Sequence, residues 1–185
     1  MVDINDQTVV STAPTTDNRT PSFKRWLRHF CYTSSTKRYF KPTDQQAIAD
    51  AVRQAEQGHI GEIQVVIEGH IPCAMAYHID TEQRARQLFA SLGVWDTEAN
   101  SGVLLYLNLC ERQVEIVTDR GIHNATQPEQ WHAICQHIIV QMQQRHYRQA
   151  VVQGVLQIGQ ILQAFYNHQQ PDQNNELGNA PIMLN

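Results

Sequence analysis

At 185 residues with 42% hydrophobic composition, the chain is long enough for one domain with a buried core and short for two. Its formal net charge of −4 disfavours a nucleic acid ligand, and no apolar run approaches the ~18 residues that a transmembrane helix needs. The first 20 residues lack a basic start followed by an apolar core, so no secretory signal is predicted and we expect a cytoplasmic protein.

The charge is distributed unevenly along the chain. Residues 19–41 hold seven of the 14 basic residues and no acidic residue, whereas residues 42–185 hold seven basic and 15 acidic residues. Such a boundary predicts an interaction or docking role for the start of the chain. The four cysteines show no CxxC or metal-ligand spacing and have mostly apolar neighbours, so we expect reduced, buried thiols.

In chain order, composition divides the sequence into four segments. Residues 1–20 and 167–185 are polar, with little to bury, and are predicted to be disordered tails. Residues 21–41 form a basic extension that contains aromatic residues. Residues 42–166 carry the helix and strand patterns and form the predicted α/β domain.

The extension, "SFKRWLRHFCYTSSTKRYF" (22–40), supports three interpretations. In the favoured one, Trp26, Leu27 and Phe30 pack on the domain, while the lysine and arginine side chains of the extension face the acidic flank of the domain. In the second, residues 19–41 bind an anionic membrane surface or an unknown protein partner, which would place the protein peripherally at the inner membrane. The third, nucleic acid binding, is the least favoured because the body of the chain is acidic.

The domain begins with a helix in "PTDQQAIADAVRQAEQG", capped by Thr43 and ended by Gly58. The segment "EIQVVIE" (62–68) then predicts a strand with alternate apolar residues on one face. A second helix is predicted from Asp80, whose side chain can cap it, to Gly93.

Two more strands and two more helices follow. "GVLLYLNL" is apolar on both faces and predicts a central strand, whereas "QVEIVT" alternates and predicts a half-exposed neighbour. The short "CER" joins them as an antiparallel hairpin, and the connection of about 33 residues from 62–68 to 103–109 predicts a parallel crossover. One helix begins at Pro128, and the last has Gly154 and Phe165 on its inner face. The predicted fold is therefore α/β, with a small mixed sheet flanked by helices.

The loop in "GVWDTEANSGVLLYLNL" (93–109) alternates Asp96, Glu98 and Asn100 as a calcium loop does. An EF-hand is excluded, because Gly102 falls one place too late and Leu107 stands where a bidentate glutamate belongs. Two interpretations remain open. The loop oxygens bind a cation, or Asp96 caps its own backbone in a turn.

A second acidic loop is predicted at the same edge of the sheet. Asp119 and Arg120 follow the strand 113–118, which runs antiparallel to its neighbour, so Asp119 lies beside the start of strand 103–109 and hence beside Asp96 and Asn100. Converging oxygens suit a hard cation such as calcium or magnesium. We therefore predict Asp96, Asn100 and Asp119 as metal ligands, and Asp96, Asp119 and Arg120 as the catalytic residues if the site is an enzyme.

Histidine-based sites are less favoured. His132 and Cys135 are one helical turn apart, but Cys135 belongs to an apolar stripe and no helix face gathers three transition-metal ligands. His59 either forms an acid/base pair with Glu62 or lies at a helix end, where the helix dipole favours it; we favour the second interpretation.

The order of elements, with "GEIQVVIE", "RARQLFASLGVWDTEANSGVLLYLNLCERQVEIVTDRGI" and "WHAICQHIIVQMQQRHYRQAVVQGVLQIGQIL", resembles a TPM domain over about residues 43–162. Such domains occur in bacterial proteins and in a chloroplast thylakoid acid phosphatase. The resemblance implies a Rossmann-like α/β sandwich, weak phosphatase activity as in some members, and divalent cation binding by acidic loop residues. This chain resembles the branch without signal peptide or transmembrane segment.

Within the resemblance, Asp96 matches the acidic residue of the family's loop and Asn100 falls where many members have aspartate. Glu111 stands where an aspartate commonly precedes arginine at the hairpin, and "DRGIHNA" replaces the "GYGLEG" of many members. The leading hypothesis is a TPM-domain protein that binds a divalent cation through acidic loops, with weak metal-dependent phosphatase activity at best. The alternative is a non-catalytic interaction or assembly module at the cytoplasmic membrane surface or on a membrane-bound partner.

Overall fold

A computed structural model describes residues 8–11, 21–97, 99–123, 126–166 and 176–185. Its helices are α1 (Phe23–Phe30), α2 (Pro42–Ala55), α3 (Cys73–Ala76), α4 (Thr81–Ser91), α5 (Arg120–His123), α6 (Pro128–Gln143) and α7 (Tyr147–Tyr166). Its strands are β1 (Thr8–Ser11), β2 (Glu62–Glu68), β3 (Gly102–Asn108), β4 (Gln113–Thr118) and β5 (Ile182–Leu184).

The strands of the described residues form one mixed sheet in the order β1-β4-β3-β2-β5. Strands β2 and β3 are parallel, from Glu62 opposite Gly102 to Glu68 opposite Asn108. Strands β3 and β4 form an antiparallel hairpin, and β1 pairs antiparallel with β4. The predicted α/β sandwich with a parallel crossover and an antiparallel hairpin is therefore confirmed.

Alternation along the strands divides the core between the two faces of the sheet. Ile63, Val65 and Ile67 of β2 pack with buried residues of α2, α6 and α7, whereas Val66 packs with Leu104 on the face covered by α4. Every residue of β3 is buried, which confirms it as a central strand. Each fully buried leucine or isoleucine contributes about 1.5–3 kcal/mol, so this double-sided core dominates stability.

The prediction that β4 is half-exposed is wrong. Glu115, which alternates with apolar neighbours, is fully buried and its Oε1 accepts a hydrogen bond from Thr81 Oγ1 at 2.6 Å. Helix α4 begins at Thr81 and covers this face, while α6 packs on the other face of the strand. In β4, the alternation of apolar and polar residues therefore reflects a buried, hydrogen-bonded Glu115 and does not indicate a solvent-exposed face.

Both predicted tails contain strands, which corrects the prediction of disorder for those residues. The backbone of β1, from residues 1–20, pairs with the outer edge of β4. Strand β5, from residues 167–185, pairs parallel with β2, and Asn185 Oδ1 accepts hydrogen bonds from Thr36 N–H at 3.0 Å and Thr36 Oγ1 at 2.6 Å. Polar composition does not predict this pairing because an exposed sheet edge offers backbone partners to any sequence.

Residues 21–41 pack onto the domain, so the predicted boundary at residue 42 is not a structural one. Phe40 lies in the main core with no exposed surface, and Thr36 and His29 are also buried. The favoured packing of this extension is wrong, however. Leu27 and Phe30 are exposed, and α1 instead buries Arg25 and His29.

The helices differ from the sequence predictions at several places, and α1 and α3 were not predicted. Helix α2 begins at Pro42, one residue before the predicted Thr43 cap, and Lys41 N–H donates to Asp44 Oδ2 at 2.9 Å. The loop predicted after β4 begins with the one-turn helix α5. At the end of α7, Phe165 is partly exposed and Tyr166 is buried, because Tyr166 continues the i, i+4 row of buried residues.

The four thiols are free, with Cys135 buried and Cys73 and Cys110 half-buried. Cys31 is exposed, so the predicted burial is wrong for that residue. It follows α1 at the surface, where its neighbour Phe30 is also exposed.

Helices α2 and α7 cross at very short distance, and Gly159 makes this possible. A Cβ atom at Gly159 would lie 2.7 Å from Ala55 Cβ and 2.8 Å from Ala55 Cα and O. The neighbouring atoms include backbone, so they cannot move aside as a flexible side chain can. The α2–α7 contact therefore requires glycine at this position.

We predict that Gly159→Ala lowers the free energy of unfolding by about 2–3 kcal/mol, as measured by urea denaturation. Alanine is the better helix former by about 1 kcal/mol, so a net loss shows that the steric contact dominates. The control is Gly178→Ala, whose Cβ would meet nothing within 4 Å. Equal stability of the two variants would contradict the close crossing.

Candidate functional site

The predicted site lies at the edge where β2 and β3 begin and β4 ends, which we call the amino edge. Backbone hydrogen bonds join the three chain segments there. Asp119 N–H donates to Gly102 O at 3.0 Å, and Glu62 N–H donates to Ser101 O at 3.2 Å. The loop before β3 and the segment after β4 are therefore brought together, as the antiparallel hairpin predicted.

The loop before β3 is a hydrogen-bonded turn. Asp96 is exposed and its N–H donates to Gly93 O at 2.9 Å, while Asn100 N–H donates to Thr97 O at 3.0 Å. Asn100 has a φ of 51°, a left-handed conformation that asparagine tolerates better than most residues. These features explain the loop's polar residues as turn formers without a ligand. Glu98 lies outside the described residues.

Asp119 is the predicted ligand with the most unusual surroundings. Its side chain is 8% exposed, and Oδ1 accepts a hydrogen bond from Arg120 N–H at 2.6 Å. Its other oxygen, Oδ2, is buried and has no hydrogen-bond partner among the described residues. Burial raises the pKa of Asp119, although the N–H and the charge of Arg120 act in the opposite direction.

The two loops approach each other at Asn100. Its carbonyl oxygen lies 3.1 Å from the position that a Cβ atom at Gly121 would occupy, next to the segment that holds Asp119 and Arg120. Arg120 is exposed at the start of α5. The structure therefore brings Asn100, Asp119 and Arg120 into one neighbourhood, and it places Asp96 in the turn that follows α4.

Tyr166 is a neighbour of Asp119 that the sequence did not reveal. The tyrosine is 3% exposed, and its hydroxyl has no hydrogen-bond partner among the described residues. Burial, followed by the charge of Asp119, raises the pKa of Tyr166 to about 12. The sequence analysis placed Phe165 on the inner face of this helix, although the i, i+4 row through Leu162 is a signal for burial of Tyr166. Only the packing of α7 places Tyr166 near Asp119.

Glu56 is a second residue that the sequence did not single out. Its Oε1 accepts a hydrogen bond from Ile63 N–H at 2.8 Å, at the start of β2. Burial, with a smaller contribution from the charge of Glu62, raises the pKa of Glu56 to about 8. A glutamate at the end of a helix gives no sequence signal for this shift, because its main cause is burial, which outweighs the opposite effect of the hydrogen bond from Ile63 N–H.

His59 is a structural residue. Its Nδ1 accepts a hydrogen bond from Gly61 N–H at 3.0 Å, so the proton resides on Nε2, which lies 2.7 Å from Ala55 O. Burial lowers the pKa of His59, which keeps the ring neutral. Both ring nitrogens are therefore engaged by backbone groups at the end of α2, and an acid/base pair with Glu62 is not formed.

Glu111, which the resemblance aligns with an acidic family position, lies at the opposite edge of the sheet. It follows β3, and the seven residues of that strand separate it from Asp119 by about 20 Å. Arg28 forms an ion pair with it, and His29 Nε2 lies 3.1 Å from its Oε1. Burial acts to raise the pKa of Glu111, but these two partners outweigh it and hold that pKa below its ordinary value.

Within the part of the chain that the structure describes, no three His, Cys, Asp or Glu side chains are grouped as ligands for a metal ion. His132 is exposed and Cys135 is buried, while the ring of His137 lies 3.2 Å from Gln157 Oε1.

None of the described helices is long and apolar enough to span a bilayer.

Comparison with known proteins gives one family and one solved structure. The model of the TPM domain family matches residues 34–161. The fold is similar to that of the BA42 protein from the psychrophilic bacterium Bizionia argentinensis, determined by NMR, with a TM-score of 0.68 and 26% sequence identity. The similarity covers 81% of this chain and 99% of that one. No curated protein matches the chain.

We predict that Glu56→Gln changes how stability depends on pH. Because folding raises the pKa of Glu56, its contribution to stability is complete below its ordinary pKa and is lost as the pH rises through about 8. Glutamine keeps an acceptor for Ile63 N–H and does not ionise. The melting temperature of the variant, relative to wild type, should therefore rise by a few degrees between about pH 6 and pH 9.

The matched control is Glu129→Gln, an exposed glutamate in the first turn of α6. The difference between this control and wild type should stay constant over the same pH range. A constant difference for Glu56→Gln as well would contradict the assigned pKa.

Proposed function

The chain belongs to the TPM domain family, and from this premise we propose that it binds a divalent cation, calcium or magnesium, at the amino edge and hydrolyses phosphate esters slowly. The observation that supports this most is the buried Oδ2 of Asp119, for which the described part of the chain supplies no hydrogen-bond partner. A buried carboxylate without a partner is costly in its ionised form. A hard cation is the partner that such an oxygen suits best.

The chemistry of the predicted ligands suits such a cation. The proposed ligands are the carboxylates of Asp96 and Asp119 with an oxygen of Asn100. The described residues contain no group of three His, Cys, Asp or Glu side chains, so in this proposal carbonyl oxygens and water complete the coordination. Calcium and magnesium accept such mixed oxygen sets, whereas transition metals prefer nitrogen and sulfur.

In this proposal, the bound cation supplies neutralisation of phosphate charge and activation of a water molecule. Arg120 orients the phosphate group, since its guanidinium can donate two parallel hydrogen bonds to phosphate oxygens. Asp119, whose pKa is raised by burial, holds its proton more readily than an exposed carboxylate and releases it when a cation binds. Cation affinity should therefore increase with pH.

We predict that calcium or magnesium raises the melting temperature of the wild-type protein and not that of Asp119→Asn. At an ion concentration ten times the Kd, binding contributes about 1.4 kcal/mol to stability, which corresponds to a shift of a few degrees. The control is Asp50→Asn, an exposed aspartate on α2 that pairs with Arg53 and should leave the ion response intact. No shift in wild type at several millimolar ion would rule out the cation site.

We predict that hydrolysis of p-nitrophenyl phosphate depends on the same residues. Asp119→Asn and Asp96→Asn should each lower kcat by tenfold or more, whereas Arg120→Gln should mainly raise KM because it removes a phosphate contact. The Asp50→Asn variant is again the control. Activity that survives all three substitutions would remove the enzymatic half of the proposal and leave cation binding to be decided by the thermal measurement.

A second candidate function is a non-catalytic interaction or assembly module, which acts through residues 19–41 at the cytoplasmic membrane surface or on a membrane-bound partner. Two observations favour it. Asn100 stands where many members of the family have an acidic residue, and α1 presents aromatic side chains to solvent. Deleting residues 1–41 is not a clean test, because Phe40 belongs to the core; point substitutions on α1 are required.

A further inference from the structure

Helix α1 is amphipathic, but it buries polar residues and exposes its apolar face. Its buried residues are Arg25 and His29, whereas Phe23 is 64% exposed, Leu27 44% and Phe30 62%. Soluble domains normally bury the apolar face of a helix and expose the charged face. A contiguous apolar surface that stays exposed in the folded protein indicates an interaction site for a protein or a membrane.

The exposed side chains form one continuous surface. The Trp26 ring stacks on Phe23 with ring centroids 5.3 Å apart and on Phe30 with centroids 5.2 Å apart. We call Phe23, Trp26, Leu27 and Phe30 the aromatic ridge. Stacking fixes the rings before any partner binds, so little side-chain entropy remains to be lost on docking.

The opposite face of α1 fixes the orientation of the ridge. Arg25 Nε donates to Ala76 O at 2.8 Å, and its guanidinium also donates to Tyr77 O at 3.3 Å. His29 Nδ1 accepts a hydrogen bond from Ile71 N–H at 3.0 Å. Rotating the helix to bury the ridge would break these bonds and leave polar groups unsatisfied, so the ridge stays outward.

The charges around the ridge favour an anionic partner. Lys24 and Arg28, one helical turn apart, flank the ridge on one side, and residues 19–41 contain no acidic residue. Glu111 of the β3–β4 hairpin forms an ion pair with Arg28, so Lys24 is the flanking cation assigned to the partner. Aromatic rings beside lysine and arginine are the composition of helices that lie in the interfacial region of an anionic bilayer. The rest of the chain is acidic, so attraction to such a surface requires this extension to lie against it within about a Debye length.

We propose that the aromatic ridge docks on the surface of an anionic lipid bilayer, with its rings among the headgroups and Lys24 contacting lipid phosphate. A second copy of the chain is a poorer partner. Two ridges facing each other would bring their basic flanks together, and an eight-residue helix about 12 Å long offers too little area for the roughly 1,200 Å² that a stable dimer buries. This inference rests on the second candidate function and is independent of the cation site.

The test is cosedimentation of the full chain with phosphatidylcholine vesicles that contain about one-third phosphatidylglycerol. Wild type should bind, and Phe23→Ser with Phe30→Ser should lower the partition coefficient at least tenfold. Lys24→Gln should lower it roughly fivefold, as expected for loss of one basic charge at an anionic surface. Pure phosphatidylcholine vesicles and added salt should weaken binding for the same reason.

Controls separate docking from folding and from self-association. Val140→Ser removes a comparably exposed apolar side chain on α6 and should bind like wild type. Both exposed phenylalanines are peripheral, so the double variant should keep the wild-type melting temperature and its response to calcium. Equal vesicle binding by wild type and the double variant would overturn the proposal. A wild-type protein that forms a dimer in solution and binds no vesicles would also overturn it, if the double substitution dissociates that dimer.

Discussion

The parallel pairing of β2 with β3 is the interaction on which the rest of the structure depends. Its seven paired positions are buried on both faces, and helices α2, α6 and α7 on one side and α4 on the other owe their positions to it. The pairing also gives the sheet two unlike edges. At the amino edge, two loops meet through the hydrogen bond between Asp119 N–H and Gly102 O. At the other edge, both strands end against the N-terminal extension.

Ligands of open α/β sheets usually bind beyond the carboxyl ends of parallel strands. In this chain that position is occupied by the protein itself. Gly69, which follows β2, lies against Ser34 and Thr36, and Ile71 N–H donates to His29. The extension thus closes the usual crevice with buried hydrogen bonds, and the unusual carboxylates are found at the opposite edge.

The buried carboxylates of Glu68 and Asp119 differ in their hydrogen bonds. Glu68, in β2, accepts hydrogen bonds from Arg84 and from Tyr106 Oη at 2.6 Å, so its charge is fully compensated inside the sheet. Among the described residues, no group donates a hydrogen bond to Oδ2 of Asp119, and Glu56 is protonated far more easily than an exposed glutamate. Function is therefore to be sought at the amino edge. Docking through α1, which packs at the opposite edge, would leave the amino edge accessible to solvent.

The sequence by itself determined the long helices α2, α4, α6 and α7, the strands β2, β3 and β4, and the pairing of those three strands. Apolar periodicity and caps such as Asp80 located the long helices, and the lengths of the connections distinguished the parallel crossover from the hairpin and so placed Asp119 beside Asn100. These features are local, or follow from counting residues between two patterns. Only the tertiary structure decided which polar groups are buried and which apolar groups are not. The exposure of the α1 aromatic residues follows from contacts of Arg25 and His29 with segments far away in sequence, and the raised pKa of Glu56 follows from its burial in the folded chain. No local pattern encodes either feature.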